Sequence, residues 1–162
     1  MSSAPFVSSP PEVKVRRATP ADLEVLVQFS AAMARETEGR ALDVERLRQG
    51  TRAVLESGER GFYLVAEAAS TVVGQLLVTY EWSDWRNGVF WWIQSVYVEP
   101  SVRRRGVYRA LHAHVLREAR ERGDVCGVRL YVEKDNAGAQ AAYARMAMTP
   151  TAYRVYEHDF VL

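Results

Sequence analysis

Residues Val96 to Arg109 read VYVEPSVRRRGVYR, and their types and order favour the binding of an anion. An apolar strand runs into a Glu99-Pro100 stop, then Arg103, Arg104, Arg105, Gly106 and a helix. The first N–H groups of a helix have no partner within it, and the helix dipole adds positive character there. Gly106 lets an anion approach the backbone, and the arginines add charge-assisted donors. Two familiar phosphate cradles are excluded. There is no Gly-x-x-x-x-Gly-Lys-Ser/Thr, and no Gly-x-Gly-x-x-Gly follows a first strand.

A second group has the chemistry to hold a cation. All four tryptophans, Trp82, Trp85, Trp91 and Trp92, lie close together with Glu81 and Asp84. Aromatic faces beside a carboxylate attract an ammonium. Trp91 and Trp92 point to opposite faces of one strand, so at least one belongs to the core. Glu36 and Glu38 end the first helix and are candidates for the opposite wall. His112 and His114 are two apart on a helix and do not share a face, so they do not form a metal pair. Cys126 is the only cysteine, which excludes an internal disulfide and a cysteine-based metal site. No metal is expected.

The elements that position these residues follow from periodicity and punctuation. Val13 to Arg17 is a short strand. Thr19-Pro20-Ala21-Asp22 starts a helix, and Gly39 breaks it. A second helix spans Val44 to Leu55 and ends near Ser57-Gly58. Phe62 to Glu67 and Thr71 to Tyr80 form a hairpin turning at Ala69-Ser70. Trp82 to Gly88 is a loop, and Val89 to Val98 is a central strand covered on both faces. Tyr108, Leu111, His112, Val115, Leu116 and Ala119 make the inner stripe of a long helix ended by Gly123. Val128 to Val132 is a buried strand, Asn136 caps a helix from Ala137 to about Met146, and Ala152 to Phe160 is a last strand. The order is β-α-α-β-β-β-α-β-α-β, a mixed α/β sheet with its ligand at the carboxyl ends of the parallel strands.

The chain has 162 residues and a net charge of +1. That predicts one domain over residues 13 to 162, after a disordered Ser- and Pro-rich tail at residues 1 to 12. Near-neutrality argues against nucleic acid as a partner. The apolar runs are too short to span a membrane. The lone cysteine favours a reducing, cytoplasmic setting.

With the arginine cradle followed by Leu130-Tyr131-Val132-Glu133, Asn136, Ala139, Ala141, Tyr143 and Met146, the chain resembles the GNAT family of acyl-CoA-dependent N-acyltransferases. The family's cradle reads Gln/Arg-x-x-Gly-x-Gly/Ala. Arg103 and Gly106 match it, and Tyr108 departs from the small third residue. Ala147 stands where the family often has glycine, and Tyr131 where some members carry a catalytic Glu.

The resemblance implies a mostly antiparallel twisted sheet with a central splayed parallel pair, flanked by about four helices. It implies acetyl-CoA as cosubstrate, its pyrophosphate held by Arg103, Arg104, Arg105, Gly106, Val107, Tyr108 and Arg109. Val96, Tyr97 and Val98 would pair with the pantetheine arm, and Asn136 would contact it. The backbone N–H of Tyr97 or Val98 would stabilise the oxyanion. Tyr143 would face the sulfur and donate a proton to the departing thiolate. The acceptor would be a primary amine, a small molecule in preference to a protein, attacking directly within a ternary complex. Glu36, Glu81, Trp82, Asp84 and Trp85 are the candidate acceptor residues, and Glu81, Asp84 and Glu99 the candidate bases. Assembly as a monomer or homodimer fits equally. The alternative function is a non-catalytic acyl-CoA sensor.

Overall fold

A computed structural model describes residues 12 to 161. Almost all of the predicted N-terminal tail therefore lies outside the described residues. Contacts divide the chain into two compact units, one up to Leu130 and one from Tyr131.

The first unit holds β1 (Val13–Arg17), α1 (Leu23–Glu38), α2 (Val44–Glu56), β2 (Gly61–Ala68), β3 (Thr71–Ser83), β4 (Gly88–Val98), α3 (Val107–Arg122) and β5 (Val125–Leu130). The strands form one sheet in the order β1-β2-β3-β4-β5. The first three pairings are antiparallel, and β4 with β5 is parallel. The turn at Ala69-Ser70 has positive φ at both residues, the mirror-image geometry that suits a two-residue hairpin.

Both faces of the sheet are covered, so β2 is buried along nearly its whole length. Side chains alternate along a strand, and this sorts β2 between two clusters. Leu64 and Ala66 join Leu76, Val78, Trp91 and the α3 residues Val107, Leu111, Val115 and Ala119 on one face. Tyr63 and Val65 pack with Leu26, Val54 and Leu55 of α1 and α2 on the other. Burying a leucine such as Leu111 contributes about 1.5–3 kcal/mol. Gly74 on β3 lies directly beneath the start of α3. A Cβ there would stand 3.1 Å from Val107 Cγ1 and 3.2 Å from the Tyr97 carbonyl.

The entry to α1 is tied to the sheet edge. A 3-10 turn at Pro20–Asp22 precedes the helix, and the Thr19 N–H donates to Asp22 at 2.7 Å. Arg16 donates two hydrogen bonds to buried Asp22, at 2.8 and 3.0 Å, and also grips Glu67. The Arg16 fork, helped by the Thr19 contacts and opposed by burial, holds the Asp22 carboxyl below the usual carboxylate range.

Several expectations shift. β3 runs on through Trp82 to Ser83, so the predicted loop is shorter. The inner stripe of α3 begins at Val107, with Tyr108 only half-buried. The fifth strand is Val125–Leu130, and Tyr131 and Val132 are exposed beyond it. The earlier start follows from pairing: Val125 is already opposite Val89.

The second unit contains α4 (Ala137–Arg145), capped by Asn136, whose side-chain oxygen accepts from the Ala139 N–H at 3.0 Å. The last predicted strand is not formed among the described residues. Residues 152 to 160 carry no strand, and Tyr153, Val155, Tyr156 and Phe160 are exposed. Apolar alternation is only half of a strand; the other half is a ladder to a neighbouring strand, and among the described residues the sheet ends at β5.

Candidate functional site

The segment joining β4 to α3 forms the cradle. After a short 3-10 turn at Pro100–Val102, the backbone enters the left-handed region at Arg104 (φ 64°) and again at Gly106 (φ 85°), the N-cap of α3. A Cβ on Gly106 would meet nothing within 4 Å, so its outer face is open, and its φ favours glycine. The first helical hydrogen bond runs from the Ala110 N–H to the Gly106 carbonyl at 2.9 Å. The N–H groups of Val107, Tyr108 and Arg109 precede it, in the turn whose donors reach no carbonyl within the helix. A cavity of about 380 Å³ is lined by Val98, Val102, Arg103, Arg104, Gly106, Val107, Tyr108 and Arg109. Arg105 is exposed and is not part of that lining. The Tyr108 ring lies 5.9 Å from the His112 ring one turn along, with its hydroxyl buried. Burial pushes the His112 imidazole below its ordinary pKa.

An open strand edge borders the cradle. The β4–β5 ladder stops at Ile93 opposite Leu130, whereas β4 continues to Val98. The Glu99 N–H donates to the Val73 carbonyl of β3 at 2.9 Å. Backbone groups alternate in direction along a strand, so the N–H groups of Tyr97 and Val98 point to opposite sides. Tyr97 shares the direction of Glu99, toward β3. Val96 and Val98 therefore direct theirs to the open side. Of the two expected oxyanion donors, this geometry favours Val98.

Tyr97 contributes through its side chain. It is buried against Phe29 of α1, with ring centroids 5.0 Å apart, and its hydroxyl donates to Glu36 at 3.0 Å. Arg103 reaches the same carboxylate at 2.7 Å, while its Nε donates to the Val98 carbonyl at 2.8 Å. Arg103, then the Tyr97 hydroxyl, lowers the Glu36 pKa. Burial first, and Glu36 second, raises that of Tyr97. The C-terminal end of α1 is thus joined to the cradle.

The other expected acceptor residues lie elsewhere. Val98 pairs with Gly74 at one end of the β3–β4 ribbon, and Gly88 pairs with Ser83 at the other. At about 3.3 Å per residue these ends are roughly 33 Å apart. Glu81, Trp82, Asp84 and Trp85 belong to the Ser83 end. Trp82 and Trp85 are 64% and 86% exposed, and Glu81 is engaged with Trp92 Nε1 at 2.5 Å and Arg129 at 2.9 Å. Only Glu36 of the five acceptor candidates meets the cradle.

Gln75, overlooked in the sequence, is fully buried opposite Tyr97 and donates to Ser30 of α1 at 2.9 Å. A lone glutamine inside the apolar run VVGQLLV was the available signal. In the second unit, the Asn136 side chain serves as the α4 cap. Tyr143 is half-buried in that helix. Its carbonyl accepts from the Met148 N–H at 3.0 Å, next to a left-handed Ala147 (φ 60°), the conformation that the family's glycine would take without strain. Among the described residues, no helix is long and apolar enough to cross a membrane.

Known proteins share this architecture. A possible acetyltransferase from Clostridium difficile 630 is 39% identical and superimposes with a TM-score of 0.86, covering 93% of this chain and 99% of that one. A transcriptional regulator from Bacillus halodurans C-125 gives 0.77 at 21% identity, over 91% and 100% of the two chains. The aminoglycoside N-acetyltransferase AAC(6')-Iy, solved with CoA, gives 0.76 at 14% identity, over 95% and 99%. The last two likenesses show the fold alone. Comparison with the curated proteins gives no match. The acetyltransferase (GNAT) family model matches residues 27–148, most of the chain and both cradle and Asn136–Tyr143 segment. The five-stranded mixed sheet, the open β4 edge and this match agree: the chain belongs to the GNAT acetyltransferase family.

Proposed function

We propose that this protein transfers an acetyl group from acetyl-CoA to a primary amine, a small molecule in preference to a protein, within a ternary complex. The observation that carries this reading is the left-handed Arg104–Gly106 turn, which presents the α3 N-terminus beside the open edge of β4. The open face of Gly106 fits a diphosphate, which a side chain there would crowd. The N–H groups of Val107, Tyr108 and Arg109, with Arg103 and Arg104, hold that diphosphate. Val96 pairs with the pantetheine arm along the open edge. The Val98 N–H donates to the thioester oxygen as it gains negative charge.

Acetyl-CoA supplies an activated acyl group, and the amine displaces a thiolate from it. Tyr143 donates a proton to that thiolate. A phenol near pKa ~10 facing a thiol near ~8.5 makes complete transfer mildly uphill, so a strong hydrogen bond does much of the same work. An alkyl ammonium must lose a proton before it attacks. Glu36 offers an anion to draw the cation in, although its lowered pKa makes it a poor base.

A thiol-release assay with acetyl-CoA and a broad amine panel tests the proposal. Turnover with at least one amine, reduced in Tyr143→Phe, supports it. CoA binding with no turnover across the panel would instead make this an acyl-CoA sensor.

A further inference from the structure

The Arg103 guanidinium is already committed on two sides. Nη2 pairs with Glu36 at 2.7 Å, and Nε donates to the Val98 carbonyl at 2.8 Å. Glu36 is in turn held by the Tyr97 hydroxyl. Tyr97 is anchored against Phe29, so the carboxylate has a fixed seat. Yet both members of the ion pair are about two-fifths exposed, and an exposed pair is easily exchanged for a stronger anion.

We infer that Glu36 is a specificity-determining residue of the cradle: its carboxylate competes for Arg103, so that an anion takes the guanidinium from it only by reaching the start of α3 at the same time. This rests on the acetyl-CoA reading above. The competition is between like charges for one fork. A compact anion that reaches only the guanidinium gains little by replacing a carboxylate already in place. The diphosphate of CoA spreads its charge over two phosphoryl groups, so it meets Arg103 and the α3 N–H groups at the same time. Exchange leaves Glu36 on Tyr97, stripped of its cation.

Calorimetric titration of CoA, inorganic pyrophosphate and inorganic phosphate into wild type and Glu36→Gln tests this. Gln keeps the size and the hydrogen bond to Tyr97 but removes the charge. From the worth of an exposed pair, CoA and pyrophosphate should bind the variant about two- to fivefold tighter, with phosphate gaining more in proportion; an equal gain for all three would overturn the inference. In an Arg103→Met background the same substitution should change CoA affinity less, because the contested group is gone. With saturating CoA, the carbon-13 titration of the Glu36 carboxyl should move up toward its ordinary midpoint. Unchanged or weaker CoA binding by Glu36→Gln overturns the inference while wild-type CoA binding keeps the acetyl-CoA reading intact. A full gain in the Arg103→Met background overturns it too, reducing the effect to general repulsion. A wild type that binds no CoA removes both readings together.

Discussion

The guanidinium of Arg103 turns back to the carbonyl of Val98, at 2.8 Å, and so ties the cradle to the strand end that it follows. On the reading proposed above, the arginine that would meet the diphosphate is thereby fixed to the end of the strand whose open edge would receive the pantetheine arm. Holding the cosubstrate at one end would then help to set the position of the other.

Gly106→Glu should abolish useful CoA binding. The left-handed φ costs a non-glycine residue about 1–2 kcal/mol, and the new carboxylate enters the anion site. Calorimetry should show CoA affinity falling by at least about tenfold, equivalent to ~1.4 kcal/mol. The thermal midpoint should drop by only a few degrees, since a Cβ there meets open space.

Tyr143→Phe separates proton donation from packing. Loss of a general acid costs roughly 10²-fold in kcat, whereas the Kd for CoA should stay within about twofold. Steady-state kinetics beside calorimetry reads both. An equal loss in the two would mean that Tyr143 serves only the helix.

Trp82→Ala and Trp85→Ala should leave acetyl transfer untouched. Both sit at the far end of the β3–β4 ribbon and are largely exposed, so stability should also stay within about 0.5 kcal/mol. A rise of tenfold or more in the amine KM for either variant would restore them to the acceptor site.

The Arg16–Asp22 pair gives a pH signature. The folded Asp22 carboxyl titrates below its unfolded value, so the native state favours the charged form. Its stabilisation is complete above the unfolded pKa of ~3.9 and is lost as pH falls through the folded value. Wild type should therefore be more stable than Asp22→Asn at pH 7, on the order of 1.5–3 kcal/mol for hydrogen bonds to a charged group, read from thermal unfolding. The gap should narrow below about pH 4. A constant gap from pH 7 to pH 3 would assign the effect to packing.

Local signals were legible in the sequence. The arginine cradle, the Ala69-Ser70 turn, the Gly39 and Gly123 helix ends and the Asn136 cap depend on neighbours a few residues away, and the structure forms them at those positions. What escaped was distance along the chain. Glu36 meets Arg103 across 67 residues and Tyr97 across 61, and no spacing rule reaches that far. The placing of the tryptophan cluster has the complementary reason. Trp82 and Trp85 are close to β4 in sequence, but an antiparallel ribbon puts its turn at the opposite end from the cradle. Composition indicated a cation pocket, and strand direction decided where those residues went.

Gly74 bears on all of this without touching any ligand. Because it has no side chain, Val107 settles close onto β3, and the mouth of α3 rests at a set height above the Val98 end of β4. On the proposed reading, the span between phosphate anchor and acyl anchor is therefore a ruler whose zero is set by an unadorned strand position. Gly74→Ala would lengthen that ruler by a few tenths of an ångström. The cost should appear in kcat with acetyl-CoA, which needs both anchors, and hardly at all with acetyl-pantetheine, which lacks the diphosphate.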